Sequence, residues 1–432
     1  MGTKLGCITQ RAAREPKVQF NNLMHLVNEE TLLANFRMLD RNKAAGVDGV
    51  SWQEYNRKAQ ENVGKLAQQM RDMAYKPQAV KRVYIPKGNG GVRPLGLPAI
   101  EDKIVQRTMA EILTAIYEQD FKDCSYGFRP RRNCHQALRQ IGKLINDRPS
   151  HHVIEADIKG FFDNISHEKL VTLLKMRVAD TRFLRYIARF IKSGYREGNI
   201  LTEAKTGTPQ GGNLSPVLAN IFLHYVLDVW FAQEIKPRLK GQSHLIRYCD
   251  DFVILVQYKQ EAQWILERMR ERFKEFALEL SREKTRVVSF GYFERENAKK
   301  QNRKPNTFDF LGFTHYCTQT RKGAFKVGRK TSTNRRTRSS HAIGVWLKAV
   351  RNVLTLTELW KMLCVKLKGH YQYYGVSDNL QSMVAFYRAT VKLVYKWINR
   401  RSQKQSFNWG QFNEYLRRYP LPRPYIVHSF YA

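Results

Sequence analysis

Two adjacent carboxylates, Asp250 and Asp251, stand inside the apolar run LIRYCDDFVILV, residues 245 to 256. β-Branched and aromatic residues flank them on both sides, so the segment is predicted as two short strands joined by a turn. Like charges repel, and removing either from water is costly unless something cancels it. An acid pair in a turn is most often turn chemistry on a solvated surface, and taken alone this pair favours that reading. A second apolar strand, HVIEAD, ends in Asp157, and the glycine loop GTPQGG lies between the two in sequence. Together these features shift the balance towards a carboxylate site for a hard divalent cation such as Mg²⁺, which takes oxygen ligands and keeps some waters. Two such ions and a phosphoryl group would offset the repulsion and activate a hydroxyl for in-line displacement.

Charge points to the partner. The 432 residues carry 74 Lys and Arg against 38 Asp and Glu, a formal net charge of +36. A compact body so positive repels itself, which makes a polyanion the default partner: nucleic acid first, an anionic membrane surface a distant second. Hydrophobic residues at 43% and aromatics at 12% indicate a folded chain with room for two or three domains. Cys7, Cys124, Cys134, Cys249, Cys317 and Cys364 are scattered with no CxxC pair, against a zinc ribbon or redox motif. The N-terminal MGTKLGCITQRAAREPK has no apolar core, so it does not read as a secretory signal. No apolar run of membrane-spanning length is expected, and a reducing, cytosol-like compartment is the simplest reading.

Residues 20 to 75 read as helical, with a turn cluster at KAAGVDGV. VKRVYI alternates like a strand and runs into the hairpin tip PKGNGG, and DKIVQRTMAEILTAIYEQDF returns to helix. Ser166 is the expected cap of a helix after the strand ending at Asp157, and TGTPQGGNLSP feeds a long amphipathic helix. AQWILERMRERFKEFALEL is helical, and KTRVVSF and FDFLGFTHY are strands expected to close the sheet. The pattern predicts an α+β domain over 80–320, preceded by an N-terminal segment 1–79. Residues 321–340 hold eight Lys or Arg and no acid and read as a basic linker or phosphate-tracking segment, followed by a helical domain over 341–432.

These motifs carry a family resemblance. YCDD resembles the YxDD box of reverse transcriptases, ADIKGFFDNISH their motif A, and GTPQGGNLSPVLANIFL the loop and helix of motif B. YIPKGNGGVRPLGLP and SYGFRPRRNCHQAL resemble finger motifs, and FLGF the segment that supports the primer end. With the additional KAAGVDGV element and the tail LKGHYQYYGVSDN, the chain resembles the reverse transcriptase/maturase proteins of group II introns from about residue 40 onward. That implies a right-hand polymerase, with fingers and an antiparallel palm sheet followed by a helical thumb or maturase domain. It also implies RNA-directed DNA polymerase activity on an RNA template with a DNA primer and dNTPs. Intron RNA is the implied partner in splicing and mobility, with a DNA target, no membrane, and a bacterial-type cytosol, nucleoid or organelle as its place.

The resemblance also implies roles for particular residues. Asp157 and Asp250 would hold two Mg²⁺ ions (or Mn²⁺), Asp251 would complete the cluster and the Ile158 carbonyl would assist. Phe162 matches the aromatic gate that rejects a 2′-hydroxyl, although adjacent Phe161 leaves open which ring is presented. Lys87 and Arg93 match finger residues that contact the triphosphate, and in isolation would read as surface charge. Gln210 matches a position near the incoming nucleotide, with Gly211 and Gly212 allowing close backbone approach. Gly312 matches a primer-grip position and reads equally as a plain strand glycine. Lys284 follows the palm helix without an assigned role. Cys249 replaces the alanine usual in the family; it is small enough for the turn to survive.

Beyond the palm, Arg335, Arg336, Lys366, Lys368, Arg400 and Arg401 are candidate RNA or primer–template contacts among interleaved rings. More than half of those rings are expected in the core, since Tyr and Trp at helical spacing usually pack inward. Neither a DNA-binding region nor an HNH endonuclease with cysteine pairs is evident, so the expectation is an endonuclease-lacking member. Two other readings stand beside the polymerase: a maturase or RNA chaperone using the fold as a scaffold, and a domesticated reverse transcriptase in repair or phage defence. An intact set of Asp157, Asp250, Asp251, Gln210 and Phe162 favours the polymerase, because a scaffold has no use for an acidic cluster.

Overall fold

The stretch SPVLANIFLHYVLDVWF becomes a helix spanning Ser215–Arg238. Its proline in the first turn supplies a helical φ where no amide partner is needed. By length and composition it could cross a membrane, which corrects the expectation that no such run exists. However, 72% of its apolar window is buried inside the protein, as in a core helix. Its turns widen to the π spacing over His224–Val229 and Phe231–Ile235, a geometry common near functional sites.

The computed structural model describes residues 2–86, 91–147, 149–208, 211–402 and 406–431. They divide into two units: Met1–Ala137, Ala156–Val256 and Gln260–Val287 form the first, and Leu138–Glu155, Gln257–Lys259 and Val288–Ala432 the second.

In the first unit, β1 (Val80–Pro86) and β2 (Val92–Leu97) form the expected hairpin, pairing Lys81 with Leu97 through to Pro86 with Val92. Strand β3 (His152–Ala156) ends at the residue before Asp157. A short hairpin that the sequence did not signal, β4 (Tyr195–Glu197) and β5 (Ile200–Thr202), completes a sheet in the order β2-β1-β4-β5. There the Arg82 guanidinium lies 3.3 Å over the Tyr195 ring. Strands β6 (Ser243–Tyr248), β7 (Asp251–Val256) and β8 (Arg286–Ser289) belong to a second sheet, in the order β6-β7-β3-β8. The helix Ile100–Tyr117 fills the core with Ile104, Val105, Met109, Ile112, Leu113 and Ile116. The N-terminal basic stretch is also helical over Gly2–Arg14.

In the second unit, β9 (Thr307–Phe310), β10 (Phe313–Gln319) and β11 (Phe325–Thr331) form an antiparallel sheet of their own. FDFLGFTHY therefore contributes to a separate sheet. Residues 321–340 are no linker: they supply β11 and the first turns of the helix Thr333–Val350. Most of their basic side chains face water, but Arg329 on β11 is buried and donates from Nη2 to the Leu138 carbonyl at 3.0 Å. The helices Thr333–Val350, Leu356–Tyr374, Leu380–Ile398 and Trp409–Arg418 pack around Leu347, Leu363, Leu367, Tyr371, Met383, Val394 and Phe412, all fully buried. Thr355 and Glu358 close a capping box at the start of the second of these helices.

Candidate active site

The acid pair sits where the alternation requires it. Tyr248 pairs with Asp251 across β6 and β7, leaving Cys249 and Asp250 as a two-residue turn. Cys249 takes φ +57, a left-handed conformation that costs an L-residue about 1–2 kcal/mol and persists only where surroundings over-determine it. The surroundings are a buried polar network built from side chains distant in sequence. Arg247, fully buried, donates from Nε and Nη2 to the two Asp228 carboxylate oxygens at 2.7 and 2.5 Å. Its Nη1 donates to Asn220 Oδ1 and to the Cys249 carbonyl, both at 3.0 Å. Burial disfavours the Arg247 charge, but the Asp228 carboxylate outweighs it and the pKa rises above the ordinary guanidinium range. Asn220 Nδ2 in turn donates to the Gly127 carbonyl at 2.7 Å. Gly127 has no room for a side chain: a Cβ there would lie 2.5 Å from the Cys249 nitrogen. In sequence Arg247 reads as one more strand cation. An arginine within an otherwise apolar strand, with an aspartate on the apolar face of a nearby helix, was the available signal.

Asp157 and Asp250 come together in this unit, close enough for the Asp157 charge to act on Asp250. Burial, with that repulsion added, raises the Asp250 carboxyl above the usual range, against its own amide, the Cys249 thiol and the Arg93 charge. Cys249 is 2% exposed, and burial together with the Asp250 charge pushes its thiol up, so it remains protonated. Asp157 accepts an ion pair from Lys284 Nζ at 2.9 Å. Its neighbourhood is tied by the Ser281 amide to the Asp157 carbonyl at 2.8 Å and the Lys159 amide to the Glu279 carbonyl at 2.9 Å. Ile158 is buried between them. Asp251 opens β7 exposed. Among the described residues no three Asp, Glu, His or Cys side chains form a ready metal cage. The donor set still fits Mg²⁺, which needs only one or two carboxylates beside phosphate and water. The cation that Asp157 meets in the protein itself is the largely exposed Lys284 ammonium.

Phe161 is 2% exposed and packs on Phe222, whereas adjacent Phe162 is half-buried and is the more exposed of the two rings. Arg93 stands exposed on β2, opposite Ile85. Lys87 and Gln210 lie outside the described residues. Gly211, at φ +112, approaches the Gly96 carbonyl, and a Cβ on Gly212 would lie 2.5 Å from Gln106 Oε1. Here these glycines serve loop packing within the protein. In the second unit, Leu311 and Gly312 form a two-residue turn with φ +49 and +80. A Cβ on Gly312 would lie 3.3 Å from the Tyr374 hydroxyl. Arg335, Arg336, Lys366, Lys368 and Arg400 are exposed, with Lys366 over the Trp346 ring at 4.8 Å. Arg401 instead turns inward, donating to the Leu354 carbonyl at 2.9 Å.

Residues 85–315 match the reverse transcriptase (RNA-dependent DNA polymerase) family. The chain is 32% identical over 322 residues to the group II intron-encoded protein LtrA of Lactococcus lactis subsp. cremoris, covering 61% of this chain and 53% of that protein. It is 32% identical over 312 residues to Protein YkfC of Escherichia coli, covering 64% of this chain and 81% of that protein. An uncharacterized 91 kDa protein in the cob intron of Schizosaccharomyces pombe is 34% identical over 247 residues, 56% of this chain and 30% of that protein. The matched region thus spans about half the length of LtrA. An acidic turn fixed by a buried ion pair, a second carboxylate beside it and a family match across more than half the sequence agree: the chain belongs to the group II intron reverse transcriptase/maturase family.

Proposed function

We propose that the chain is an RNA-directed DNA polymerase that adds dNTPs to a primer 3′-hydroxyl on an RNA template, and that it binds group II intron RNA in splicing and mobility. The observation that carries this is the meeting of Asp157 and Asp250. Burial, with the Asp157 charge added, disfavours the ionised Asp250, and a cation bound there would favour it. Asp157 and Asp250 would hold two magnesium ions, with Asp251 and the Ile158 carbonyl alongside. Bound there, magnesium would lower the pKa of the primer hydroxyl and neutralise charge on the triphosphate. Arg93, with Lys87, meets the triphosphate through its charge, Gln210 borders the incoming nucleotide, and the Phe162 ring excludes a 2′-hydroxyl. Gly312 lies by the primer end, and the exposed bases Arg335, Arg336, Lys366, Lys368 and Arg400 track nucleic-acid phosphates.

The test is primer extension on an RNA template with dNTPs and Mg²⁺, comparing the native chain with Asp250→Ala. DNA synthesis that disappears in the variant supports the polymerase. A native chain that binds RNA in a salt-sensitive manner and extends nothing would replace it with the maturase-scaffold reading.

A further inference from the structure

A ring that sorts sugars is only as selective as its backbone is fixed. Phe162 rides on a single helical turn, Phe161–Asn164, entered through Gly160 at φ +55. Such a turn has little internal hydrogen bonding, yet this one is bound along its length by the segment Thr206–Thr208. The Thr208 amide donates to the Phe162 carbonyl at 2.7 Å, and the Gly207 amide to the Ile165 carbonyl at 2.8 Å. The Thr206 hydroxyl donates to the Asp163 carbonyl at 3.1 Å. His167 Nε2, buried, donates to the Gly207 carbonyl at 2.6 Å and so ties the strap back to the next helix. The approach is too close for a side chain: a Cβ on Gly207, at φ +84, would stand 2.7 Å from the Phe162 carbonyl oxygen and 2.8 Å from that of Asp163.

We propose that Thr206–Thr208 is a specificity-determining strap, with Gly207 and Thr206 as positioning residues. It fixes the Phe162 backbone and thereby how far the ring reaches towards the 2′ position of an incoming nucleotide. This rests on Phe162 being the sugar gate. An ordinary loop contact would affect deoxy- and ribonucleotides alike, whereas the strap acts on their ratio. A displacement of a few tenths of an ångström at the carbonyl moves the whole ring, and selectivity built on exclusion is sensitive to that scale.

The experiment measures kcat/KM for one dNTP and the matching rNTP on the same primer and template, using the native chain, Phe162→Val, Gly207→Ala, Thr206→Val and Thr206→Ser. Gly207→Ala is expected to lower the dNTP/rNTP ratio by about tenfold and Thr206→Val by about threefold, with Thr206→Ser at the native ratio because it keeps the hydroxyl. Phe162→Val should lower the ratio more than either. If Phe162→Val leaves the ratio unchanged, the gate reading itself is overturned. If Phe162→Val lowers it while Gly207→Ala and Thr206→Val keep the native ratio, the strap is overturned and the gate stands. Should Gly207→Ala fail to fold, the exposed Thr206 position decides alone, because valine there removes only the hydroxyl.

Discussion

Replacing Asp228 with leucine strands a guanidinium in the core of the first unit. Arg247 and Asp228 are both fully buried, and their two hydrogen bonds at 2.7 and 2.5 Å leave Arg247 no route to water once the carboxylate is gone. Breaking a buried pair from one side costs about 3–5 kcal/mol, because the surviving charge keeps its desolvation penalty without its counter-charge. Against a typical stability of about 5–15 kcal/mol that is a large share. At about 2–4 °C per kcal/mol, the thermal midpoint should fall by about 6–20 °C. The double variant Asp228→Leu/Arg247→Met removes both charges at similar volume and should unfold within about 1–2 kcal/mol of the native chain. Calorimetry or circular-dichroism melts of the native protein, both singles and the double complete the cycle. The double should fold and yet extend primers poorly, since the Cys249 carbonyl is then without the Arg247 donor that holds the acidic turn. A single variant within about 1 kcal/mol of native, or a double as unstable as the single, would refute the argument.

Gly127→Ala pushes a methyl into the Cys249 nitrogen and should cost about 1–3 kcal/mol by overpacking, with a parallel fall in primer extension, read by melts and initial rates. Lys366→Ala/Lys368→Ala should flatten the slope of log affinity for single-stranded RNA against log salt by about 1.4, at about 0.7 for each phosphate no longer neutralised, in a filter-binding titration. Arg401→Ala, whose side chain turns inward, should lower the melting point of the second unit and leave that slope unchanged. His370 is pushed down to about 4 by burial and stacks 3.8 Å from Phe386. Its folded pKa lies below the unfolded value, so its contribution is complete above about pH 6.5 and lost as pH falls from there towards 4. His370→Phe should remove about 2 kcal/mol of that acid sensitivity in denaturant titrations at pH 7 and pH 4.5.

How much the sequence disclosed follows the range of the interactions. The strand–turn–strand at Asp250, the helix capped by Ser166 and the hairpin of β1 and β2 depend on alternation and turn residues within a dozen positions, and all appear as read. The network behind the turn is long-range. Asp228 is 19 residues from Arg247, and Gly127 is 93 from Asn220, so no local pattern announces either interaction. Charge misled where it was treated as a proxy for exposure. The basic stretch 321–340 became strand and helix, and Arg401 turned inward to a carbonyl. The choice between Phe161 and Phe162 could not be made from composition, because adjacent residues at the start of a helical turn differ only in direction. Packing of Phe161 on Phe222 leaves Phe162 the more exposed of the two.

The Arg247–Asp228 pair also bears on how such a chain can change over generations. Each partner is tolerable in the core only while the other is present, so any lineage altering one alone passes through an intermediate that folds poorly. Positions 228 and 247 should therefore be inherited as a unit, exchanged in concert or not at all. Cys249, whose thiol fills space and keeps its proton, can drift among small residues with little penalty. The most visible oddity of the acidic box is then its least constrained residue, and the constraint lies two positions before it, out of reach of solvent.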